Sequence, residues 1–190
     1  MFLWTAQTIE TYDTLIHTGV YRCDTSKITD FEWWKPAYDW MVKEMRERIG
    51  SPPEGVKYPI WLWYRWNGHN KKPDLRARRS FGSKGTELVL IEIEIPDNQV
   101  VLSDFDNWHS VLNHSYSYSE AQSEKEFDKI HEWLQSLSPP QRQLEIQKSW
   151  ESIFDISVWD NDFSRNGIWV QATIWELRKE HIRKNYSFIC

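Results

Sequence analysis

Helical and strand patterns follow one another irregularly along this chain, and their order limits the folds open to it. The predicted order is a strand, two helices, a strand, a long loop, a hairpin, three helices, a strand and a mixed C-terminal tail. A doubly wound parallel sheet would need strands and helices in regular alternation, which this order lacks. The sequence therefore predicts an α+β fold.

Length and charge narrow the prediction further. The chain has 190 residues and a mass of 23.0 kDa, the size of one ordinary domain, which buries roughly 70% of its unfolded surface. We therefore predict a single domain over residues 1–190. With 23 basic and 28 acidic side chains the net charge is -5, so the field of the whole molecule does not favour DNA or anionic lipid. Any site for a polyanion must be local.

Cysteine usage and the N-terminal residues indicate a cytoplasmic protein. The two cysteines, Cys23 and Cys190, are too few for a disulfide framework and lack zinc-ligand spacing. The first residues carry no basic and apolar signal pattern, and the longest near-apolar run, residues 58–64, is too short to span a bilayer. We expect neither a secretion signal nor a membrane partner.

Start and stop signals locate the predicted helices. Thr8 can cap a helix that ends at Gly19, because a threonine oxygen accepts a first-turn N–H and glycine adopts the left-handed stop. A second helix is predicted to begin at Pro36 and to end before Gly50. Three further helices are predicted to follow the caps Ser103, Ser123 and Ser138.

Alternation of apolar and polar residues predicts the strands. Residues 88–95 alternate, and the turn at residues 96–98 leads into a short strand at 99–102, so this stretch predicts a hairpin. The other predicted strands cover residues 2–5, 58–66 and 168–175.

A basic tract in the long loop is the first candidate binding site. Residues 65–84 contain seven basic side chains and only one acidic side chain, Asp74. Guanidinium groups match phosphate oxygens bidentately, and Trp63 or Trp66 beside the tract can stack a flat ring. A solvated loop next to a buried strand is the alternative. The seven basic residues are Arg65, Lys71, Lys72, Arg76, Arg78, Arg79 and Lys84.

The segment around residue 104 is the second candidate. Asp104, Asp106 and His109 surround a predicted helix start, where carboxylates and an imidazole can orient a ribose hydroxyl or transfer a proton. In the plainer alternative Ser103 and Asp106 cap the helix, which leaves Asp104 unexplained. No further cluster of His or Cys completes a ligand set, so we expect no metal.

One face of the last predicted strand is the third candidate. It carries two indoles beside an amide and a hydroxyl, which is typical of a cleft lining because buried amides need partners. A solvent face covered by amphipathic rings is the alternative. The chain has thirteen tryptophans in all, which predict either a core built from rings or a surface for stacking flat ligands. The face consists of Trp169, Gln171, Thr173 and Trp175.

Four motifs carry a family resemblance that covers nearly the whole chain. They are Leu3-Trp4-Thr5-Ala6-Gln7-Thr8, Tyr58-Pro59-Ile60-Trp61-Leu62-Trp63, Leu102-Ser103-Asp104-Phe105-Asp106-Asn107-Trp108-His109 and Gln171-Ala172-Thr173-Ile174-Trp175-Glu176-Leu177. Together they resemble a family of bacterial proteins classed as a domain of unknown function. This resemblance implies a soluble bacterial protein and no particular activity.

The order of the motifs carries a second resemblance. An opening strand with Thr5 and Gln7, a helix closing at Gly19, the segment around Asp104 and a late strand ending in Thr173 resemble the ADP-ribosyltransferase superfamily. That resemblance implies a mixed or antiparallel β-core split around a cleft that holds NAD, with several helices. It also implies a late-strand glutamate that stabilises positive charge as nicotinamide leaves. Thr173 stands at the position of that glutamate.

These features together predict a protein that binds NAD or a related nucleotide in a tryptophan-lined cleft, and the resemblance implies NAD-dependent ADP-ribosyl transfer. The alternatives are a single-strand nucleic-acid or protein-binding module without catalysis, and a structural protein whose tryptophans form the core. The catalytic candidates are Asp104, His109, Gln171 and Thr173, and the ligand-binding candidates are Thr5, Gln7, Trp63, Arg76, Arg78, Arg79 and Trp169.

Overall fold

The computed structural model describes residues 1–160 and 165–190. Contacts divide the chain into two compact units. Unit 1 comprises Met1–Trp66, Asn70–Val101 and Ala172–Cys190, and unit 2 comprises Asn67–His69 and Leu102–Gln171. The combination of helices with a mainly antiparallel sheet confirms the predicted α+β class. The single domain over residues 1–190 stays a prediction.

The described residues form five α-helices and ten strands. The helices are α1 (Ile9–Thr18), α2 (Phe31–Ile49), α3 (Phe105–Leu112), α4 (Glu124–Ser136) and α5 (Pro139–Ser149). The strands are β1 (Phe2–Thr8), β2 (Val20–Tyr21), β3 (Ile60–Arg65), β4 (Glu87–Glu94), β5 (Val101–Asp104), β6 (Trp159–Asp160), β7 (Arg165–Asn166), β8 (Val170–Ile174), β9 (Leu177–Arg178) and β10 (Ile182–Ile189). Short 3₁₀ turns cover Thr25–Lys27, Leu75–Ser80, Asp97–Gln99, Trp150–Phe154 and Lys179–His181.

A six-stranded sheet runs in the order β10-β4-β1-β3-β8-β5. Strand β1 lies inside it and pairs antiparallel with β3, where Trp4 faces Trp63, and with β4 along its whole length. Strand β10 pairs antiparallel with the other side of β4 and forms one edge. Because β1 is flanked on both sides, its backbone is fixed over the residues that lead into α1.

Aliphatic side chains from the sheet and two helices form the core of unit 1. Leu15 on α1 and both Met41 and Met45 on α2 have no exposed surface, since residues four apart share one face of a helix. Each such side chain contributes roughly 1.5–3 kcal/mol when it is buried. The strands add Leu3, Leu62, Leu90, Ile91 and Ile93, which are also buried.

Three of the four predicted helix N-caps are present in the structure, and the exception is Ser103. Thr8 accepts the N–H of Thr11 at the start of α1, and Gly19 ends that helix with a φ of 83°. Ser123 and Ser138 begin α4 and α5 as expected. These signals depend on a few neighbouring residues, so they do not require knowledge of the tertiary fold.

The predicted start of α2 is wrong by five residues. The helix begins at Phe31, and Pro36 lies inside it rather than at its first turn. Proline at this position removes one N–H that would otherwise bond to the carbonyl of residue 32. The apolar face at residues 37, 41 and 45 continues the helix beyond that missing bond.

The predicted hairpin of residues 88–95 and 99–102 is also wrong. Strands β4 and β5 are not neighbours, because β4 is flanked by β1 on one side and β10 on the other. The sequence pattern placed β10 within a mixed C-terminal tail, yet it is an eight-residue edge strand. Because β10 pairs with one side of β4 and β1 with the other, neither side of β4 is left for β5.

Unit 2 is mainly helical. Helix α3 packs against the turn Trp150–Phe154, and α4 packs against α5. Trp108 and Trp150 are nearly buried, and the Nε1–H of Trp150 donates to the carbonyl oxygen of Ser115 at 2.8 Å. That bond satisfies the polar edge of a buried indole. Across residues 1–160 and 165–190, no helix has both the length and the apolar character that crossing a membrane requires.

Candidate ligand-binding site

The tryptophans are distributed over several environments rather than concentrated in the core. Four of the thirteen are buried, two are exposed and seven are half-buried. A core built from rings therefore accounts for a minority of them, and a half-buried ring leaves part of its face available for packing or stacking. The buried ones are Trp4, Trp108, Trp150 and Trp175.

A pocket of about 280 Å³ lies beside the junction of β1 and α1. Three flat side chains line it: Tyr21 from β2, Tyr38 from α2 and Trp61 from β3. Polar groups from β1, from α1 and from the loop after β2 complete the wall. We name it the opening-strand pocket, and its remaining lining residues are Gln7, Thr8, Thr11, Cys23, Asp24, Lys27, Ile28, Pro59 and Ile60.

Hydrogen bonds along β1 fix the side-chain amide of Gln7. Thr5 Oγ1 donates to the carbonyl oxygen of Trp61 at 3.2 Å, so its lone pairs remain to accept. Gln7 Nε2 donates to Thr5 Oγ1 at 2.7 Å. This order of donors sets the orientation of the amide and leaves Gln7 Oε1 and one N–H to address a ligand. The structure thus brings together Thr5 and Gln7, two of the predicted ligand-binding residues.

The opening-strand pocket carries charges of both signs. Asp24 accepts from the backbone N–H and the hydroxyl of Ser26 at 3.1 and 2.6 Å. These two hydrogen bonds lower the pKa of Asp24, and the nearby Lys27 adds to the lowering. At neutral pH the pocket therefore presents a carboxylate and an ammonium group near its three rings.

Tyr38 remains a neutral hydrogen-bonding group over a wide pH range. Burial raises the pKa of its hydroxyl to about 12, and the thiol of Cys23 adds to the increase. The Tyr38 phenol therefore keeps a proton that it can donate to a hydrogen-bond acceptor.

Alkaline pH should destabilise the protein through Tyr38. A tyrosine in an unfolded chain has a pKa of about 10, so the folded protein holds this proton more tightly. The contribution is complete below pH ~10 and is lost as the pH rises toward ~12. We expect thermal melts between pH 9 and 12 to show a steeper decline for the wild type than for Tyr38→Phe. Parallel declines would contradict this assignment.

Four basic residues of the predicted tract line an open groove of about 840 Å³, and the other three, Arg65, Arg79 and Lys84, are not among its lining residues. Asp74 caps the turn Leu75–Ser80 by accepting the N–H of Arg76 at 2.9 Å. The Arg76 guanidinium also donates to the Asp74 carboxylate at 2.6–3.0 Å, and these bonds lower the pKa of Asp74 to about 2. Arg76 is thus already paired with an acid. We name this the basic groove, lined by Lys71, Lys72, Pro73, Asp74, Leu75, Arg76 and Arg78.

A layer of aromatic rings holds the loop that carries the basic groove. Trp66 stacks on Phe81 with ring centroids 5.6 Å apart and an interplanar angle of 19°, and Trp63 contacts Trp66 edge to face at 4.9 Å. Phe81 in turn meets Phe188 of β10 edge to face at 5.9 Å. Trp63, a predicted stacking residue, therefore packs within the protein against a neighbouring indole.

Asp104 caps α3, a role that the sequence analysis gave to Ser103. The Asp104 carboxylate has no exposed surface and accepts the N–H of Asn107 at 2.8 Å and that of Gly167 at 2.7 Å. Burial raises the pKa of Asp104, while both N–H groups oppose that increase. Ser103 belongs to β5 and is itself buried. Capping by Ser103 left the Asp104 carboxylate without a role, and the structure shows that this carboxylate is itself the N-cap of α3.

His109 lies on the exposed side of α3. Its Nδ1 is 2.9 Å from the carbonyl oxygen of Phe105, one turn earlier, and its ring contacts the Phe105 ring edge to face. In the part of the chain that the structure describes, His109 shares no hydrogen bond with Asp104. The same residues contain no group of three or more His, Cys, Asp or Glu side chains able to hold a metal ion.

Gln171 and Thr173 lie on the late strand β8, and Trp169 directly precedes it. Thr173 has no exposed surface, and its hydroxyl donates to the carbonyl oxygen of Val101 at 3.4 Å. Gln171 is half-buried, as is Trp169, whose carbonyl oxygen accepts the N–H of Phe105 at 2.8 Å. Thr173 and Asp104 thus offer no surface to a ligand in this structure, whereas the side chain of Arg76 is 92% exposed.

Sequence reasoning missed most of the opening-strand pocket. It identified Gln7 but not Tyr21, Tyr38 or Trp61. These rings come from separate elements, and only the pairing of β1 with β3 and the placement of α2 bring them together. The sequence carried one signal for Trp61: alternation along β3 places it on the same face as Trp63, which was a predicted stacking residue.

Comparison with known proteins identifies the family of the chain. A family model described as Domain of unknown function (DUF3841) matches residues 2–183. No curated protein and no solved structure matches the chain. The match confirms the resemblance to a domain-of-unknown-function family, and nothing in these comparisons supports the resemblance to ADP-ribosyltransferases.

Proposed function

The chain belongs to the DUF3841 family, and from its own side chains we propose that it binds a nucleotide-type ligand, NAD or a relative, in the opening-strand pocket. The observation that carries this proposal is the fixed amide of Gln7 among three rings. An oriented acceptor beside flat apolar surface is the usual way a protein selects one edge of a heterocycle.

The chemistry of the wall matches the parts of such a ligand. Gln7 Oε1 can accept an N–H from a carboxamide or an exocyclic amine, and the rings of Tyr21 and Trp61 can cover a heterocycle. Lys27 can pair with a phosphate. The volume of about 280 Å³ lies near the lower limit of roughly 300 Å³ for ligand pockets, so it suits one nucleoside portion, with the remainder of the ligand extending outside.

Transfer of ADP-ribose from NAD is the finer proposal: a nucleophile, water or an acceptor group, forms a bond to the ribose carbon as the glycosidic bond to nicotinamide breaks and nicotinamide leaves. This step requires a carboxylate near the breaking bond. Thr173 offers no surface for that task. Asp24 supplies a carboxylate in the wall of the opening-strand pocket, and its lowered pKa keeps it ionised. We assign it the charge-stabilising role that the resemblance gave to a glutamate. We place this activity in the cytoplasm, where Cys23 and Cys190 remain free thiols.

Loss of the Gln7 amide should weaken binding of NAD. Removing one buried hydrogen bond of about 1–1.5 kcal/mol corresponds to roughly a tenfold increase in Kd. Isothermal titration with NAD, ADP-ribose and nicotinamide mononucleotide measures this for the wild type and for Gln7→Ala. Gln143→Ala, a change at an exposed glutamine on α5, is the matched control and should leave binding unchanged.

Two outcomes would decide against this function. Absence of saturable heat with all three nucleotides at millimolar concentration would remove the binding proposal. Equal affinities for the wild type and Gln7→Ala would show that binding occurs elsewhere. Release of free nicotinamide, measured in the same samples, tests the transfer step separately, and Asp24→Asn should abolish that release while leaving the Kd for NAD within threefold.

A further inference from the structure

The basic groove differs from its surroundings in charge. Its wall contains four basic side chains and one carboxylate, in a protein whose net charge is -5. The carboxylate, Asp74, is bound by Arg76 through three hydrogen bonds from the guanidinium. The other three cations of the groove are Lys71, Lys72 and Arg78. Among the described residues, none of the three takes part in an ion pair.

The loop that carries these cations is held in place at several points. Asp74 caps its turn, and Phe81 at the end of that turn is stacked on Trp66. The thiol of Cys190 donates to the carbonyl oxygen of Arg78 at 3.1 Å. A ligand therefore meets cations on an ordered backbone, so binding requires less loss of conformational entropy than binding to a free basic tail.

Aromatic surface accompanies the cations. Lys72 Nζ lies 4.1 Å from the ring centroid of Tyr186, a half-buried residue of the edge strand β10. Lys72 covers one face of this ring, so a base that is not stacked in a duplex can pack against the exposed remainder of the ring while its phosphates meet the cations. Reading the base edges of double-stranded DNA would instead require a helix or ribbon that enters a groove, and the turn Leu75–Ser80 is only six residues long.

From this arrangement we propose that the basic groove binds the phosphate backbone of single-stranded nucleic acid. The inference goes beyond the proposed nucleotide site, since the two sites share no lining residue. Three cations without an ion pair contact about three phosphates, and the logarithm of the affinity should fall with the logarithm of salt concentration at a slope of about -2.

Fluorescence polarisation of a labelled 12-nucleotide single strand, in a series of KCl concentrations, tests the inference. The double substitution Lys71→Glu and Arg78→Glu should weaken binding more than tenfold and reduce the salt slope by about 1.4, since each phosphate contributes about 0.7. The control is Lys125→Glu with Lys129→Glu, the same charge change on α4, which should alter affinity less than twofold. Lys71→Gln with Arg78→Gln provides a milder pair if charge reversal prevents folding.

Three results would overturn the inference: equal losses for the groove and control variants, a slope near zero, or equally effective competition by inorganic polyphosphate of matched charge. A duplex that competes as well as the single strand would overturn the preference for single strands. Gln7→Ala should leave oligonucleotide binding unchanged, and the groove variants should leave NAD binding unchanged. The two proposals can therefore fail independently.

Discussion

Replacement of Asp104 by alanine should lower the free energy of unfolding by about 3 kcal/mol. The substitution removes an N-cap, which costs about 1–2 kcal/mol. It also leaves the N–H of Gly167 without its acceptor, and a buried unsatisfied N–H costs about 1–3 kcal/mol. For a chain of this length the melting temperature should fall by roughly 10 °C, which circular dichroism can measure.

Asp106 provides the matched control for that prediction. It occupies the first turn of the same helix but is exposed, so Asp106→Ala should change the free energy of unfolding by less than about 0.5 kcal/mol. Asp104→Asn should lie between the two, because the amide keeps one acceptor and places a donor against the second N–H. A stable Asp104→Ala protein that loses nucleotide binding would show that Asp104 serves a ligand rather than the helix.

Replacement of Glu176 by alanine should cost about 2–3 kcal/mol of folding stability. Its side chain is 4% exposed and accepts from Arg22 Nε at 2.9 Å and from Arg178 Nη2 at 2.6 Å. These bonds reinforce the pairing of β2 with β9. Since both arginines are about half exposed, water can replace part of what is lost, so the cost stays below the roughly 3–5 kcal/mol expected for a wholly buried pair.

Urea denaturation followed by tryptophan fluorescence measures this second effect. Glu180→Ala is the control, because Glu180 is 71% exposed and lies 4.0 Å from Arg178, a geometry of little energetic value. Glu176→Gln should recover part of the loss. Equal midpoints for Glu176→Ala and the control would mean that the two arginine contacts add nothing to the fold.

Local signals in the sequence predicted much of the fold. The caps at Thr8, Ser123 and Ser138 and the stop at Gly19 depend on side chains within one helical turn. Errors arose where tertiary pairing decides the outcome. The hairpin after Ile95 failed because β1 and β10 already flank β4, and no pattern within residues 88–102 contains that information.

In the candidate site, too, the residues predicted from the sequence are those set by local sequence, and the residues missed are those set by tertiary pairing. Thr5 and Gln7 were identified from one short motif, and their mutual hydrogen bond follows from two residues on one side of a strand. Tyr21, Tyr38 and Trp61 could not be grouped in advance, because their proximity requires the positions of β2, α2 and β3 together. Asp104 was predicted from the sequence to be a catalytic residue, yet its buried position and its hydrogen bonds to two backbone N–H groups give it a structural role.

The side-chain amide resonances of Gln7 test the central claim most directly. In a two-dimensional NMR spectrum of ¹⁵N-labelled protein titrated with NAD, the Gln7 NH₂ pair should shift progressively and saturate, while that of Gln143 should remain fixed. Direct contact between Gln7 and the ligand predicts this result. Saturable shifts elsewhere in the spectrum with an unmoved Gln7 pair would contradict the assignment of the opening-strand pocket.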